Sequence, residues 1–171
     1  EIKAQEEKSE ALLLNILPAS VAEELKQKGY AEAMHFDIST ILFSDFKGFT
    51  TISEILTAAQ FVEEINVCFK AFDAIITKYG IEKIKTIGDS YMAAAGIPAN
   101  NTASVSDTVH AALEMQDFIL ARIEERTQMQ LPSFQMRIGL HTGPVVAGIV
   151  GVKKFQYDIW GDTVNIASRM E

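Results

Sequence analysis

Apolar residues recur at steps of three and four between residues 58 and 79: Phe61, Ile65, Phe69, Phe72, Ile76 and Tyr79. That spacing lines one face of a helix, so the stretch predicts an amphipathic helix, closed by Gly80. Residues 102–126 repeat the period, with Val105, Val109, Leu113, Leu120 and Ile123 as the expected apolar face. Elsewhere the pattern changes. Phe36 to Phe43, FDISTILF, is apolar and β-branched with little alternation, as in a central strand. It runs into SDFKGFT (44–50), where Gly48 breaks the strand and Thr50, Thr51 or Ser53 caps the next helix. Ile81 to Ala95, IEKIKTIGDSYMAAA, reads as two strands about a tight turn at Gly88-Asp89. Phe134 to Leu140 and Val145 to Val150 read as two strands joined through HTGP, and Gln156 to Trp160 as a short one. Asp162 to Met170 reads as a helix with Asp162 as N-cap.

The front of the chain differs. Residues 1–17 have high helix propensity, charged first and leucine-rich later, and end before Pro18. A second short helix, Ala19 to Lys28, stops at Gly29. Ile2, Leu12 and Ile16 make a partial seam. Two readings stay open for it: a solvated helix packed on the domain, or a helix paired with its copy. The remaining order is strand, helix, hairpin, helix, strand. This predicts an α+β domain of the ferredoxin-like, split βαβ kind, an antiparallel sheet with two long helices on one face. The division is a helical lead-in over 1–30 and a catalytic or binding domain over 31–171.

Composition narrows the chemistry. The chain has 171 residues, 48% hydrophobic, enough for one well-buried domain. A net charge of −8 without a Lys/Arg-rich run argues against a nucleic-acid binder. The lone Cys68 excludes an internal disulfide and, within an apolar helical pattern, reads as a core thiol. No apolar run is long enough to cross a bilayer, so a cytoplasmic location is expected, as a free protein or as part of a larger, membrane-bound one.

Asp45 ends the first strand and Asp89 sits in the hairpin turn, and the split βαβ order makes those strands neighbours. Two convergent carboxylates repel unless cations lie between them, and hard divalent ions take oxygen ligands. Lys47, Gly48, Phe49 and Thr50 follow, with backbone N–H groups at a helix start, a geometry that suits phosphate. The plainer alternative is a capping Asp45 and a turn Asp89.

Four segments carry a resemblance. FSDFKGFT (43–50), KIKTIGDSYMAAAG (83–96), MRIGLHTGPVVAGIVG (136–151) and QYDIWGDTVNIASRME (156–171) resemble, in order, the class III nucleotidyl cyclases. LLLNILPASVAEEL (12–25) is similar to the segment preceding such domains in receptor-linked members. The resemblance implies two Mg²⁺ or Mn²⁺ ions per site, held by Asp45, Asp89 and the Phe46 carbonyl. It implies attack of the ribose 3′-hydroxyl on the α-phosphate, with loss of pyrophosphate. Arg137 matches the position that binds the leaving phosphates, Asn165 the one that positions the ribose, and Arg169 the one that stabilises α-phosphate charge. Lys85 and Asp158 match the base-recognition positions. A lysine donor and an aspartate acceptor fit adenine's edge, and guanylyl members carry Glu and Cys or a similar residue there. The implied function is an adenylyl cyclase making cyclic AMP from ATP. The alternatives are a guanylyl cyclase or a nucleotide-binding regulatory domain. The resemblance further implies a homodimer with sites shared across its interface and an upstream sensor or receptor domain. It also leaves the family's later phosphate-binding lysine without a counterpart before Glu171, so the domain is expected to continue beyond it. His35, His110 and His141 carry no expected catalytic role, and Phe49 and Trp160 are expected to pack around the site.

Overall fold

Successive side chains of a strand point to opposite faces. In β1 (Met34–Lys47), Leu42 and Phe46 enter one core while Ile41 and Phe43 enter another. Burial on both faces explains why the strand's sequence does not alternate. The computed structural model describes residues 2–171; Glu1, at the head of the first predicted helix, lies outside the described residues. β1 sits at the centre of a five-stranded antiparallel sheet. Around it lie β2 (Glu82–Ile87), β3 (Ser90–Ala95), β4 (Gln135–Val150) and β5 (Gln156–Trp160), in the order β2-β3-β1-β4-β5. The expected fold class is therefore the observed one, with β5 added at the β4 edge.

One face is covered by α4 (Ala58–Lys78) and α5 (Val105–Gln128), as expected. Thr57 begins α4 with a reciprocal capping box to Gln60, and Ser104 does the same for α5 with Asp107. Between the two helices a buried carboxylate is fully paired. Glu64 Oε1 accepts from Arg122 Nε at 2.9 Å, and Oε2 accepts from Arg122 Nη2 at 2.7 Å and Arg126 Nη1 at 2.8 Å. Arg126 also donates to the Pro132 carbonyl at 2.6 Å. Cys68 lies in this core, its thiol pushed up to about 12 by burial and by the neighbouring Glu64.

The opposite face carries the lead-in, α1 (Ile2–Leu14) and α2 (Ala19–Lys28), and the last helix α6 (Asp162–Met170). Leu17 and Ala22 are buried against Ile41, Ile84, Tyr157 and Ile159. Gly29 takes the left-handed conformation at the end of α2, with φ 79°. α3 (Phe49–Ile55) is a short helix after the β1 strand.

Several expectations need correcting. HTGP is not a link between two strands: β4 runs through it unbroken, and His141 stands opposite Ile41 inside the sheet. Pro144 is tolerated because the β1–β4 register shifts between Phe36 and Ser39, where no regular ladder bond is demanded of it. β1 likewise continues two residues past Asp45. Of the apolar face read for α5, Ile123 packs against the core, but the rest is turned away: Val105, Val109, Leu113 and Leu120 are 39–59% exposed. Its buried face is Thr108, Ala111, Ala112, Met115, Ile119 and Arg126. Small residues allow close approach there, and the polar ones are satisfied locally, Thr108 by the Ser104 carbonyl and Arg126 by Glu64. α3 starts at Gly48 and α6 at Gly161, without the side-chain caps expected from Thr50, Thr51, Ser53 or Asp162. Trp160 is 43% exposed at the end of β5 and does not pack within the domain core.

Gly139 and Gly143 lie on one face of β4, four residues apart, and open a trough for α6. A Cβ on Gly139 would stand 2.6 Å from the Ala167 carbonyl oxygen and from Met170 C, and closer still to the Glu171 backbone nitrogen. On Gly143 its three nearest atoms would all belong to the Thr163 side chain, the closest at 2.5 Å. Backbone cannot rotate away, whereas a side chain can. Gly139→Ala should therefore lower unfolding free energy by about 1–3 kcal/mol and Gly143→Ala by less. Urea denaturation checks this, and equal midpoints for the two variants would contradict the packing described.

Candidate active site

The register of β1 against its neighbours decides what meets at its end. Asp45 stands opposite Arg137 of β4, and Phe43 opposite Gly139. These residues share the face that carries α6. The turn between β2 and β3 brings Asp89 alongside, where it accepts the Phe46 backbone N–H at 3.2 Å through Oδ2. Gly88 supplies the positive φ, 59°, that the turn needs. Asp45 and Asp89, distant in sequence, come close enough for each carboxyl to shift the acidity of the other. Arg137 Nη2 donates to Asp45 Oδ2 at 3.0 Å.

The two acids are driven apart in acidity. Burial, together with the hydrogen bond and charge of Asp45, raises Asp89 to about 6. Burial also works against ionised Asp45, but the hydrogen bonds from Asp89 and Arg137 outweigh it and hold its carboxyl below the usual range. The proton of the pair therefore resides on Asp89. The oxygens gathered here are those of two carboxylates, donors that suit a hard divalent cation. Among the described residues no group of three His, Cys, Asp or Glu side chains is arranged to hold a metal, so other positions would fall to solvent or substrate.

Lys47 to Thr50 follow directly. Lys47 is exposed at the strand end, and Gly48 turns the chain with φ 79°. The Phe49 ring packs on Phe61 at 4.8 Å between centroids and near Phe134, which leaves only its backbone for a ligand. Thr50 is exposed, and its carbonyl accepts from Ser53 Oγ at 2.6 Å.

A second cluster forms across the sheet. β2 and β5 are its opposite edges, yet Lys85 Nζ donates to Asp158 Oδ2 at 2.6 Å. The sheet curls far enough for Ile84 of β2 to share a core with Tyr157 and Ile159 of β5. Asp158 is 9% exposed and its other oxygen accepts the Ile159 N–H at 2.8 Å. The pair is dry on one side and open on the other.

α6 supplies the remaining residues. Ala167 and Val164 face the sheet, so Asn165 and Arg169, one helical turn apart, face outward. Arg169 makes no ion pair among the described residues. The structure thus brings Asp45, Phe46, Asp89 and Arg137 together, and separately Lys85 and Asp158. It leaves Asn165 and Arg169 on an open helix face.

Two features escaped the sequence reading. The glycine trough had a signal: Gly139 and Gly143 are spaced by an even number within one strand, hence on one face, but that needed β4 to be continuous. Glu171 had none. The end of α6 sets its carboxylate close enough to Asp45, Asp89 and Arg137 for all three to act on it.

Residues 31–171 match the model of the adenylate and guanylate cyclase catalytic domain. The chain is 41% identical over 171 residues to an adenylate cyclase of Mycobacterium tuberculosis, covering 99% of this chain and 38% of that protein. It is 43% identical over 175 aligned positions to retinal guanylyl cyclase 2 of Rattus norvegicus, covering 100% of this chain and 15% of that one. The chain thus spans well under half the length of these relatives. Among solved structures it is similar to the catalytic core of a rhodopsin-guanylyl cyclase with converted specificity in complex with ATPαS. The TM-score is 0.72 and the identity 35%, over 82% of this chain and 74% of that one. With the fold, the motif order and these likenesses in agreement, the chain belongs to the class III nucleotidyl cyclases, as a catalytic domain of that family.

Proposed function

We propose that this domain is the catalytic unit of an adenylyl cyclase, converting ATP to 3′,5′-cyclic AMP and pyrophosphate. The observation that carries the choice of base is the Lys85–Asp158 pair. Adenine offers an acceptor at N1 and a donor at its 6-amino group, which match an ammonium and a carboxylate. Guanine offers the reverse, and set against this pair it would leave partly buried polar groups unpaired at about 1–3 kcal/mol each. The similarity to a guanylyl cyclase favours a second reading, GTP as substrate, and Lys85 and Asp158 weigh against it. The relative with converted specificity, complexed with an ATP analogue, supports the idea that this fold accepts either base.

In this reading Asp45, Asp89 and the Phe46 carbonyl hold two Mg²⁺ or Mn²⁺ ions. Bound there, the ions would supply the positive charge that acidifies the 3′-hydroxyl and neutralises the triphosphate. The chain's own side chains bind and orient. Lys85 and Asp158 fix the base and Asn165 the ribose. Arg169 meets charge developing on the α-phosphate, and Arg137 with the Lys47–Thr50 turn receives the leaving phosphates. The exposed faces of these residues need a second wall. A second copy of the chain provides it in our reading, each site drawing Asp45, Asp89 and Arg137 from one protomer and Lys85, Asp158, Asn165 and Arg169 from the other. The β4–β5 ribbon supports this, presenting Val146, Val152, Phe155 and Trp160 to solvent as an apolar surface. The lead-in over 1–30, seated by Leu17 and Ala22 against the sheet that carries Lys85, is positioned to pass on a signal from a preceding domain. The exposed Ile2, Leu12 and Ile16 suit pairing of α1 with its copy.

Asp45→Ala or Asp89→Ala should abolish Mg²⁺- or Mn²⁺-dependent cyclic AMP formation while circular dichroism stays unchanged. Activity surviving at ordinary metal concentration would reject the dyad. Acidity gives a test without metal. Asp89's folded pKa lies above the ordinary carboxylate value of about 4. Its stabilising proton is thus fully present below that value and lost as pH rises through about 6. Metal-free Asp89→Asn should therefore melt above the parent at pH 8, and the gap should begin to narrow as pH falls below about 6 and be closed near the ordinary value of about 4.

Lys85→Glu combined with Asp158→Cys should cut ATP selectivity and admit GTP, by about 10-fold or more in the ratio of kcat/KM values. An unchanged ratio would remove the base assignment. For the shared site, Asp45→Ala and Arg169→Ala chains should each be inactive. Mixed, they should regain one working site per mixed dimer, read as cyclic AMP formed after demonstrated subunit exchange.

A further inference from the structure

Arg137 has a conflict of loyalties at the dyad. Without metal its guanidinium is bonded to Asp45 at 3.0 Å. Once divalent cations occupy Asp45 and Asp89, that bond sets positive charge against positive charge, and Arg137 must find another acceptor. The Glu171 carboxyl lies within reach of its charge. The end of α6 presses onto Gly139, two residues along β4 from Arg137 and on the same face. Glu171 Oε2 is shielded from solvent and has no hydrogen-bond partner, alone among the buried side-chain nitrogens and oxygens of the described residues. A buried carboxylate oxygen without a donor is costly and calls for a partner in some state of the protein. Burial, Asp45 and Asp89 all push the Glu171 carboxyl up, and Arg137 alone pulls it down. Among the described residues Arg137 is the cation whose charge acts on it.

We propose that Glu171 is a positioning residue: it receives Arg137 when divalent cations displace that guanidinium from Asp45, and holds it aimed at the leaving phosphates. This rests on the metal reading of Asp45 and Asp89. Glu171 has no assigned contact with substrate, and its oxygen does not complete a metal-ligand group with the two aspartates. Its action passes through Arg137.

The test is direct Mn²⁺ binding to the folded protein, read by electron paramagnetic resonance without turnover. Glu171→Gln keeps size and shape while weakening the acceptor. It should reduce Mn²⁺ affinity by about 10-fold, because Arg137 then competes for Asp45 without an alternative. Glu171→Asp should restore part of the loss. Arg137→Gln removes the competitor, so in that background Glu171→Gln should leave Mn²⁺ affinity unchanged. An equal loss in both backgrounds would show Glu171 acting on the ion itself and overturn the proposal, as would no loss in either. Should Glu171→Gln fail to fold, Glu171→Asp in the two backgrounds carries the same comparison. If Mn²⁺ binding to the parent survives Asp89→Asn, the dyad reading has failed and the proposal falls with it. If binding is lost in Asp89→Asn but indifferent to Glu171→Gln, only the proposal fails.

Discussion

The long antiparallel pairing of β1 with β4 is the constraint on which the site depends. It runs from Met34 opposite Ala147 to Lys47 opposite Gln135, and both strands are packed on two faces. A slip of one residue would send Asp45 and Arg137 under α4 and α5 and bring Phe46 and Met136 out to the α6 side. Two separate cores forbid it, since each strand face already fits its own set of apolar partners. The irregularity between Phe36 and Ser39 is confined to the far end, so it leaves the register at Asp45 undisturbed.

The domain contains two clusters of opposed charge, and they differ in balance. Around Glu64 every carboxylate oxygen has an arginine donor, and Glu125 pairs with Arg122, so two acids and two arginines join α4 to α5 without excess charge of either sign to attract a ligand. Such a cluster fixes packing. Around Asp45 three carboxylates meet one guanidinium, one acid keeps its proton to about 6, and one oxygen has no partner. Perturbed acidity of that kind accompanies function more often than packing. The contrast separates a structural from a chemical role without reference to any relative.

Much of this was legible in the sequence because it rested on local pattern. The period of Phe61 to Tyr79 gave α4, Gly88-Asp89 gave the hairpin, and the split βαβ order made the meeting of Asp45 with Asp89 a consequence of topology. What was not legible depended on approach between distant elements. α5 hides its buried face behind Thr108, Ala111, Ala112 and Arg126, whose suitability depends on the Ser104 carbonyl and on Glu64 across the helix pair. His141, Thr142, Gly143 and Pro144 look like a turn, and only pairing with β1 and packing of α6 convert them into strand. Lys85 touching Asp158 could not be read from a sheet order that sets β2 and β5 at opposite edges. Curvature brings them together, and curvature is a property of the whole sheet.

That contact bears on how a binding site can be selective without being sticky. In the ligand-free domain Lys85 and Asp158 already satisfy one another, so the protein carries no idle charge while it waits. In the proposed reading a purine arriving there would exchange one good bond for others, and a matching base edge would gain little beyond what was given up. A mismatched edge separates the two charges and answers neither. Discrimination then arises from the penalty for the wrong guest more than from reward for the right one. Such a site can release its product readily and still refuse the competitor.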